Sequence, residues 1–293
     1  MVYLTNSTRK SSASLVGVVS VAAVVAGLTG GQIAAAGSAA GVPANTAALA
    51  AVSTQLPAKT KTKTRGGNHW QRVFAEGFGR SAPRGTFLNR YRNFDSYRFP
   101  ATDTSRQVRS NPGFYDTDRT VSVAGGKLDS FLHYDSSLRK YLVAALLPQL
   151  PRMRYGKFSM RLRADKIPGY KIAPLLWPDS GKWPNDGEID FPEGDLNGGS
   201  LSAFHHHATS RGTQQHFSTR VSHRRWHTYE TRWTPGRVVF RVDGRRIGVS
   251  RKQVPNKPMH WVLQFETAIR SQAPSQSAHG HVQIDWIKAY RYR

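Results

Sequence analysis

The chain contains no cysteine in its 293 residues. Disulfide staples and thiolate metal sites are thereby excluded, and a core of this size does without them even in an oxidising compartment. Acidic side chains are scarce as well, 18 against 42 Lys and Arg, for a formal charge of +24. That balance predicts attraction to polyanions and says nothing about fold. The cations are spread over strands and turns, without a recognisable nucleic-acid module, so no specific nucleic-acid partner is expected. Beyond residue 68 a sustained helical period is missing, which excludes a helical bundle.

The first fifty residues are almost uncharged, with Arg9 and Lys10 followed by "SLVGVVSVAAVVAGL" and "GGQIAAAGSAAG". A short basic region, an apolar run and small-residue sites are the layout of a secretory signal, expected over residues 1–36. The competing reading is an uncleaved anchor, since Leu15 to Ala36 would just span a bilayer. Residues 37–67, ending in "PAKTKTKTRGG", combine low hydrophobicity with like charges and read as a disordered basic linker. Residues 68–293 are then the folded domain of a secreted, wall-associated monomer with no membrane contact after cleavage.

That domain is written in short alternating runs. In "KFSMRLRAD" Phe158, Met160, Leu162 and Ala164 share one face, with Lys157, Ser159, Arg161 and Arg163 on the other. "RVVFRVDGRRIGV" reads as two strands around an Asp243-Gly244 turn. "HVQIDWIKAYRYR" is expected to place Ile284, Trp286, Tyr290 and Tyr292 together. Some 225 residues of such strands, an order-of-magnitude count, predict an all-β sandwich of two curved antiparallel sheets.

Against the basic background stands "PNDGEIDFPEGD", which holds Asp186, Glu188, Asp190, Glu193 and Asp195. Like charges this close raise one another's pKa values, so the cluster is costly unless used. On a strand Glu188 and Asp190 share a face, and Pro192 marks a bulge that would return Glu193 to it. The two Glu positions would then lie about four strand steps apart, roughly 13 Å between Cα atoms. Side chains leaning together leave a carboxyl gap of about 5 Å, the spacing of retaining glycoside hydrolysis. Glu188 is read as the nucleophile and Glu193 as the acid/base. With Asp190 between them one proton should be retained, expected mainly on Glu193. A calcium-loop reading fails at Phe191, where Gly is wanted, and at Asn197.

Trp177 and Trp183 flank the cluster, and indole faces suit the C–H faces of sugars. Either could instead fill the core. In "FHHHATS" the three consecutive His alternate faces, so no carboxylate-completed metal site is expected there.

The run "LLWPDS…WP…DGEIDFPEGD", with "YGKFSMRLRAD", "WHTYETRWTPGRVVFRVDG", "PMHWVLQFET" and "GHVQIDWIKAY", resembles glycoside hydrolase family 16. The laminarinase-like β-glucanases of secreted bacterial type are the nearest in pattern, and the resemblance covers nearly all of residues 70–293. It implies a concanavalin A-like jelly roll with a cleft on the concave sheet. It also implies Glu188 as nucleophile, Asp190 as its hydrogen-bonded assistant and Glu193 as acid/base, with no cofactor required for catalysis. His206 and Gln264 match sugar-contacting positions beside the catalytic strand. The bulged E-x-D-x-x-E form is that of laminarinases, agarases and carrageenases rather than lichenases. A structural calcium ion remote from the cleft is also implied, with Glu76 and Asp285 as its candidates. The sequence departs from the pattern at Ser202, where relatives tend to have His.

The function expected is a retaining endo-β-glycosidase on β-1,3-containing glucan. Two alternatives stay open. One is a non-catalytic carbohydrate-binding jelly roll, and the other a hydrolase or transglycosylase of acidic or sulfated wall polysaccharide. For each, an anionic cell-wall polymer is the expected electrostatic partner.

Overall fold

The structure, a computed structural model, describes residues 69–97, 113–267 and 273–293. The expected signal (1–36) and linker (37–67) lie outside the described residues.

Alternation generates the strands. In β7 (Gly156–Ala164) Phe158, Met160, Leu162 and Ala164 are buried, whereas Lys157 and Arg161 are half-buried and Arg163 is exposed. One face of such a strand enters the core and the other meets water. Seventeen strands form one continuous ladder, and it folds over itself as two layers. The outer layer runs β4 (Val121–Ala124), β5 (Lys127–Asp135), β17 (Gly280–Tyr292), β7, β13 (His227–Thr234), β14 (Arg237–Val242) and β15 (Arg245–Ser250). β1 (Trp70–Glu76) shares an edge of β17 with β5. The inner layer runs β2 (Phe94–Ser96), β6 (Lys140–Pro148), β16 (Met259–Thr267), then β8 (Tyr170–Ile172) and β9 (Leu175–Pro178), β10 (Glu188–Asp195), β11 (Ser200–His206) and β12 (Gln214–Ser222). β3 (Gly113–Tyr115) is the one parallel addition, beside β6, and β5 pairs with β6 where the layers join. This is the all-β jelly-roll sandwich expected from the alternation. Helix among the described residues amounts to Phe87–Arg90 and Thr117–Thr120.

The layers are held by aromatic contacts across the core. Phe158 meets Trp261 edge-on at 5.4 Å between ring centres, and Phe191 meets Tyr229 at 5.5 Å and Phe240 at 5.4 Å. Each buried ring of this kind contributes about 1.5–3 kcal/mol. Ile189 and Phe191 therefore anchor β10 by its inward face, which fixes the outward face that carries the acids.

Turn chemistry is equally direct. Asp243 and Gly244 both have positive φ, 49° and 78°, as a two-residue hairpin of the right-handed twist requires. The expectation for β17 needs correction: Ile284 is buried, whereas Trp286, Tyr290 and Tyr292 are half-exposed on the opposite face. The register with β7 jumps between Ile284 and Trp286, so Asp285 is an extra residue that inverts the parity of the strand.

Candidate active site

β10 is built as the acid spacing requires. Against β11, Glu188 faces His206 and Asp190 faces Phe204, but Glu193 faces Ser202. Three residues on β10 thus span two on β11, and the extra one is absorbed at Phe191-Pro192. Glu193 returns to the face of Glu188 and Asp190, on strand positions whose partners are four residues apart. Gly187 leads into the row with φ of 72°, and a Cβ there would lie 2.8 Å from the His206 carbonyl oxygen. Only glycine lets the chain enter β10 this close to β11.

Glu188 and Asp190 are buried, and Glu193 is half-buried. The Trp183 indole N–H donates to Glu188 Oε2 at 2.9 Å. His206 Nε2 lies 3.2 Å from Asp190 Oδ2 and 3.9 Å from Glu188 Oε2, and its ring meets Trp183 at 6.2 Å. Burial pushes the Glu188 carboxyl well above the usual carboxylate range, the Asp190 charge adds to this, and His206 offsets part of it. Asp190 is raised mainly by burial and then by Glu193, against the pull of Lys171. Two carboxyls so placed cannot both ionise freely, so the pair retains a proton at neutral pH.

Glu193 instead accepts from the Lys171 ammonium at 3.1 Å, and the same ammonium lies 3.1 Å from Glu266. Burial alone would lower the Lys171 pKa, but Glu266 and Glu193 more than offset it and the ammonium is held charged. The Tyr115 hydroxyl lies 3.4 Å from Glu266 Oε2. Lys171 and Glu266 were missed from the sequence. A signal for Glu266 existed, because it follows Gln264 by two on a strand and so shares its face. Lys171 sits in a three-residue strand, too short for its pattern to show direction.

Together Lys171, Glu188, Asp190, Glu193, His206 and Gln264 line one polar recess on the inner sheet. The recess brings together five of the nine site residues expected from sequence: the three acids, His206 and Gln264. Trp183 borders it half-buried through its bond to Glu188. Trp177 does not join them: it is fully buried in the core and has no free ring face for a sugar. β9 is buried along its whole length, so the indole fills space there. His205 and His207 point away from the cleft, their rings 5.1 Å apart, and His205 bonds Ser250 of the outer sheet at 2.6 Å. Of the remaining acids in the cluster, Asp186 accepts from Ser180 in the preceding turn, and Asp195 ends the strand exposed opposite Lys171.

The calcium candidates do not fit a calcium ion. Glu76 Oε1 accepts from the amides of Gly77 at 3.0 Å and Phe78 at 2.9 Å. Asp285 is ion-paired with the Arg161 guanidinium. A hard divalent cation needs six or more oxygen ligands, and here one carboxylate is turned to its own backbone while the other already faces a cation. The cluster of acids and histidine close enough to hold a metal among the described residues is Glu188, Asp190 and His206, inside the recess itself.

Comparison with known proteins matches this geometry. No curated protein matches the chain. Among solved structures, the laminarinase from Rhodothermus marinus is 21% identical, with a TM-score of 0.63 over 77% of this chain and 98% of that one. A non-specific endo-β-1,3(4)-glucanase from family GH16 gives 19%, 0.63, 77% and 92%. The laminarinase catalytic domain from Thermotoga maritima gives 17%, 0.62, 76% and 99%. These likenesses establish the fold. A family model described as glycosyl hydrolases family 16 matches residues 132–288, more than half of the chain, with β10 and its three acids inside the match. The protein belongs to glycosyl hydrolase family 16 and is a glycoside hydrolase.

Proposed function

We propose that the protein is a secreted, retaining endo-β-glycosidase that cleaves β-1,3-containing glucan. The observation that carries this reading is the bulge at Phe191-Pro192, which sets Glu188 and Glu193 on one face with Asp190 between them. Partner positions four residues apart correspond to about 13 Å between Cα atoms. Inward-leaning side chains then leave about 5 Å between carboxyl groups, too little for the intervening water of an inverting enzyme. The choice of β-1,3 linkage rests on the structural relatives, two of them laminarinases and one an endo-β-1,3(4)-glucanase. The apolar run and small-residue sites within residues 1–36 support secretion.

Glu188, as carboxylate, attacks the anomeric carbon while the glycosidic C–O bond breaks and the leaving oxygen takes a proton from Glu193. For this attack the proton that the buried pair retains must sit on Asp190. The Trp183 N–H on Glu188 Oε2 favours the ionised nucleophile and fixes its rotamer. In the second half, Glu193 takes a proton from water, the water oxygen attacks the anomeric carbon, and Glu188 leaves as carboxylate. Lys171 steadies the Glu193 carboxylate between these proton transfers and would loosen as the proton arrives.

The test is reducing-end release from laminarin, mixed-linkage glucan, agarose and carrageenan, with Glu188→Gln as control. Activity on laminarin that the substitution abolishes is expected, and NMR of the first product should show the β anomer. Activity confined to carrageenan would shift the substrate to sulfated galactan, and an α anomer would refute retention. The mature N-terminus of protein recovered from culture medium tests secretion.

A further inference from the structure

The outer face of the sandwich carries a second feature that catalysis does not use. On β17, Trp286, Lys288, Tyr290 and Tyr292 point outward, and on β7 so do Lys157, Arg161 and Arg163. The register aligns them. Tyr290 pairs with Lys157, which pairs in turn with Arg232 of β13, and Arg72 of β1 flanks Tyr290 from the other side. That line crosses three strand spacings, about 14 Å, and Lys157 to Arg163 runs about 20 Å along β7.

Cations here lie on aromatic rings. The Lys157 ammonium is 4.0 Å from the Tyr290 ring centre and 5.6 Å from that of Trp70. Lys288 is 4.5 Å from Trp286, and Arg161 and Arg163 are 4.9 Å and 5.1 Å from Trp226. Three acids lie on this face, and each is already engaged: Asp285 with Arg161, Glu230 with Arg232, and Asp129 with His281 and the Gln283 amide. Arg72, Lys157, Arg163 and Lys288 make no direct ion pair with an acid among the described residues. The Lys157 ammonium is pushed below its ordinary range, first by burial, with Arg232 and Lys288 acting the same way against Glu230. A group in that position gains from an incoming anion.

We propose that this outer face binds an anionic polysaccharide, a chain bearing carboxylate or phosphate groups, and so tethers the enzyme while the cleft on the opposite sheet stays free. Charge complementarity selects an anion, and the rings beside the cations offer the apolar planes that sugars use. The choice of a glycan as the anion's carrier rests on the protein being a glycoside hydrolase, and not on which glucan it cuts.

The experiment uses full-length Glu188→Gln protein, which retains the face but cannot turn over substrate. Binding to polygalacturonate is measured by fluorescence anisotropy, with neutral laminarin, single-stranded DNA and anionic phospholipid vesicles as parallel probes. Polygalacturonate should bind, with affinity falling about tenfold or more between about 50 and 200 mM salt, as release of several counterions requires. Replacing Arg72, Lys157, Arg163 and Lys288 together by Gln should weaken it about tenfold or more, an expectation of the same electrostatic origin. The same four changes in the active parent should leave hydrolysis of soluble laminarin unchanged, which also reports folding. A charge-matched control replaces Arg139, Arg251, Lys252 and Lys257, exposed cations in turns and loops off this face. Equal weakening by the control would overturn the proposal in favour of net charge alone. Tighter binding of DNA or vesicles than of polygalacturonate would overturn it in favour of another partner.

Discussion

The two faces of the sandwich handle like charge in opposite ways. On the inner sheet Glu188, Asp190, Glu193 and Glu266 meet around one ammonium, Lys171, with three of the four carboxylates buried. On the outer sheet Arg72 and Arg163 are exposed and Lys157 and Lys288 are half-exposed, spaced along strands, with the last three laid on rings. Two unit charges 4 Å apart interact with about 1 kcal/mol in water and about 4 kcal/mol at the effective dielectric of a partly buried site. The inner acids must therefore share a proton and a cation, whereas the outer cations can all stay charged. Desolvation, rather than the number of charges, makes the inner cluster reactive and leaves the outer one able to attract.

The sharpest way to break this contrast is to neutralise one inner acid. Glu188→Gln should lower kcat by about 10⁴-fold or more, as loss of a nucleophile does. It should also raise the Tm at pH 7. Burial raises the Glu188 and Asp190 pKa values in the folded state, so the pair's contribution to stability is full below the unfolded carboxylate pKa of about 4 and is lost as pH rises through the folded values. Gln imitates the protonated form, so its advantage over the parent should be present at pH 7 and vanish near pH 4. A variant with a lower Tm at pH 7 would show that Glu188 is not a strained charge.

Removing the inner cation should cost nearly as much. Lys171→Met leaves Glu193 and Glu266 facing each other without compensation, and breaking a buried pair of this kind costs about 3–5 kcal/mol. Activity should fall with it, since nothing else fixes the Glu193 carboxylate. Adding Glu266→Gln to Lys171→Met should recover most of the stability in urea unfolding, while activity stays low. If the double variant is no more stable than Lys171→Met, the ammonium is not balancing Glu266.

Between the layers lies a third environment, with the opposite pH dependence from the acid pair. Burial pushes the His205 imidazole down to about 3, with His207 and His206 adding to the effect. A histidine depressed in the folded state stabilises above its unfolded pKa of about 6.5, and that stability is lost as pH falls below it. His205→Gln keeps a hydrogen-bonding group beside Ser250 but cannot take the proton. Its unfolding free energy should therefore fall less than the parent's between about pH 6.5 and 4, by about 1–3 kcal/mol. Parallel pH curves would place the acid sensitivity elsewhere.

These environments were unequally legible in the sequence. Pro192 announced the bulge on β10, because proline cannot donate to a ladder, and the three acids followed from it. The bulge at Asp285 carries neither proline nor glycine, so strict alternation put Ile284 on the face of Trp286. Its cause is registry with β7, a contact between residues more than a hundred positions apart. Trp177 and Trp183 look alike in sequence, both followed by proline. Only pairing of β9 between β10 and β16 buries the first, while the turn before β10 aims the second at Glu188. Lys171 escaped notice for the same reason: it reaches Glu193 through strand pairing that no local pattern encodes.

The smallest effect belongs to the outer face. Asp285 and Arg161 are about one-third and two-fifths exposed as side chains, and exposed ion pairs contribute about 0–1 kcal/mol. Asp285→Asn should therefore shift urea unfolding by less than about 1 kcal/mol, far below Lys171→Met, although both break one carboxylate–cation contact. The same variant decides the calcium expectation. With Asp285 facing a guanidinium and Glu76 holding its own backbone, a chelator should leave the Tm of the parent unchanged. A rise of several degrees with added calcium, lost in Asp285→Asn, would mean that Arg161 swings away to admit the ion. The centre of the outer face would then hold a divalent cation and a freed guanidinium, and anion binding there should strengthen with calcium rather than ignore it.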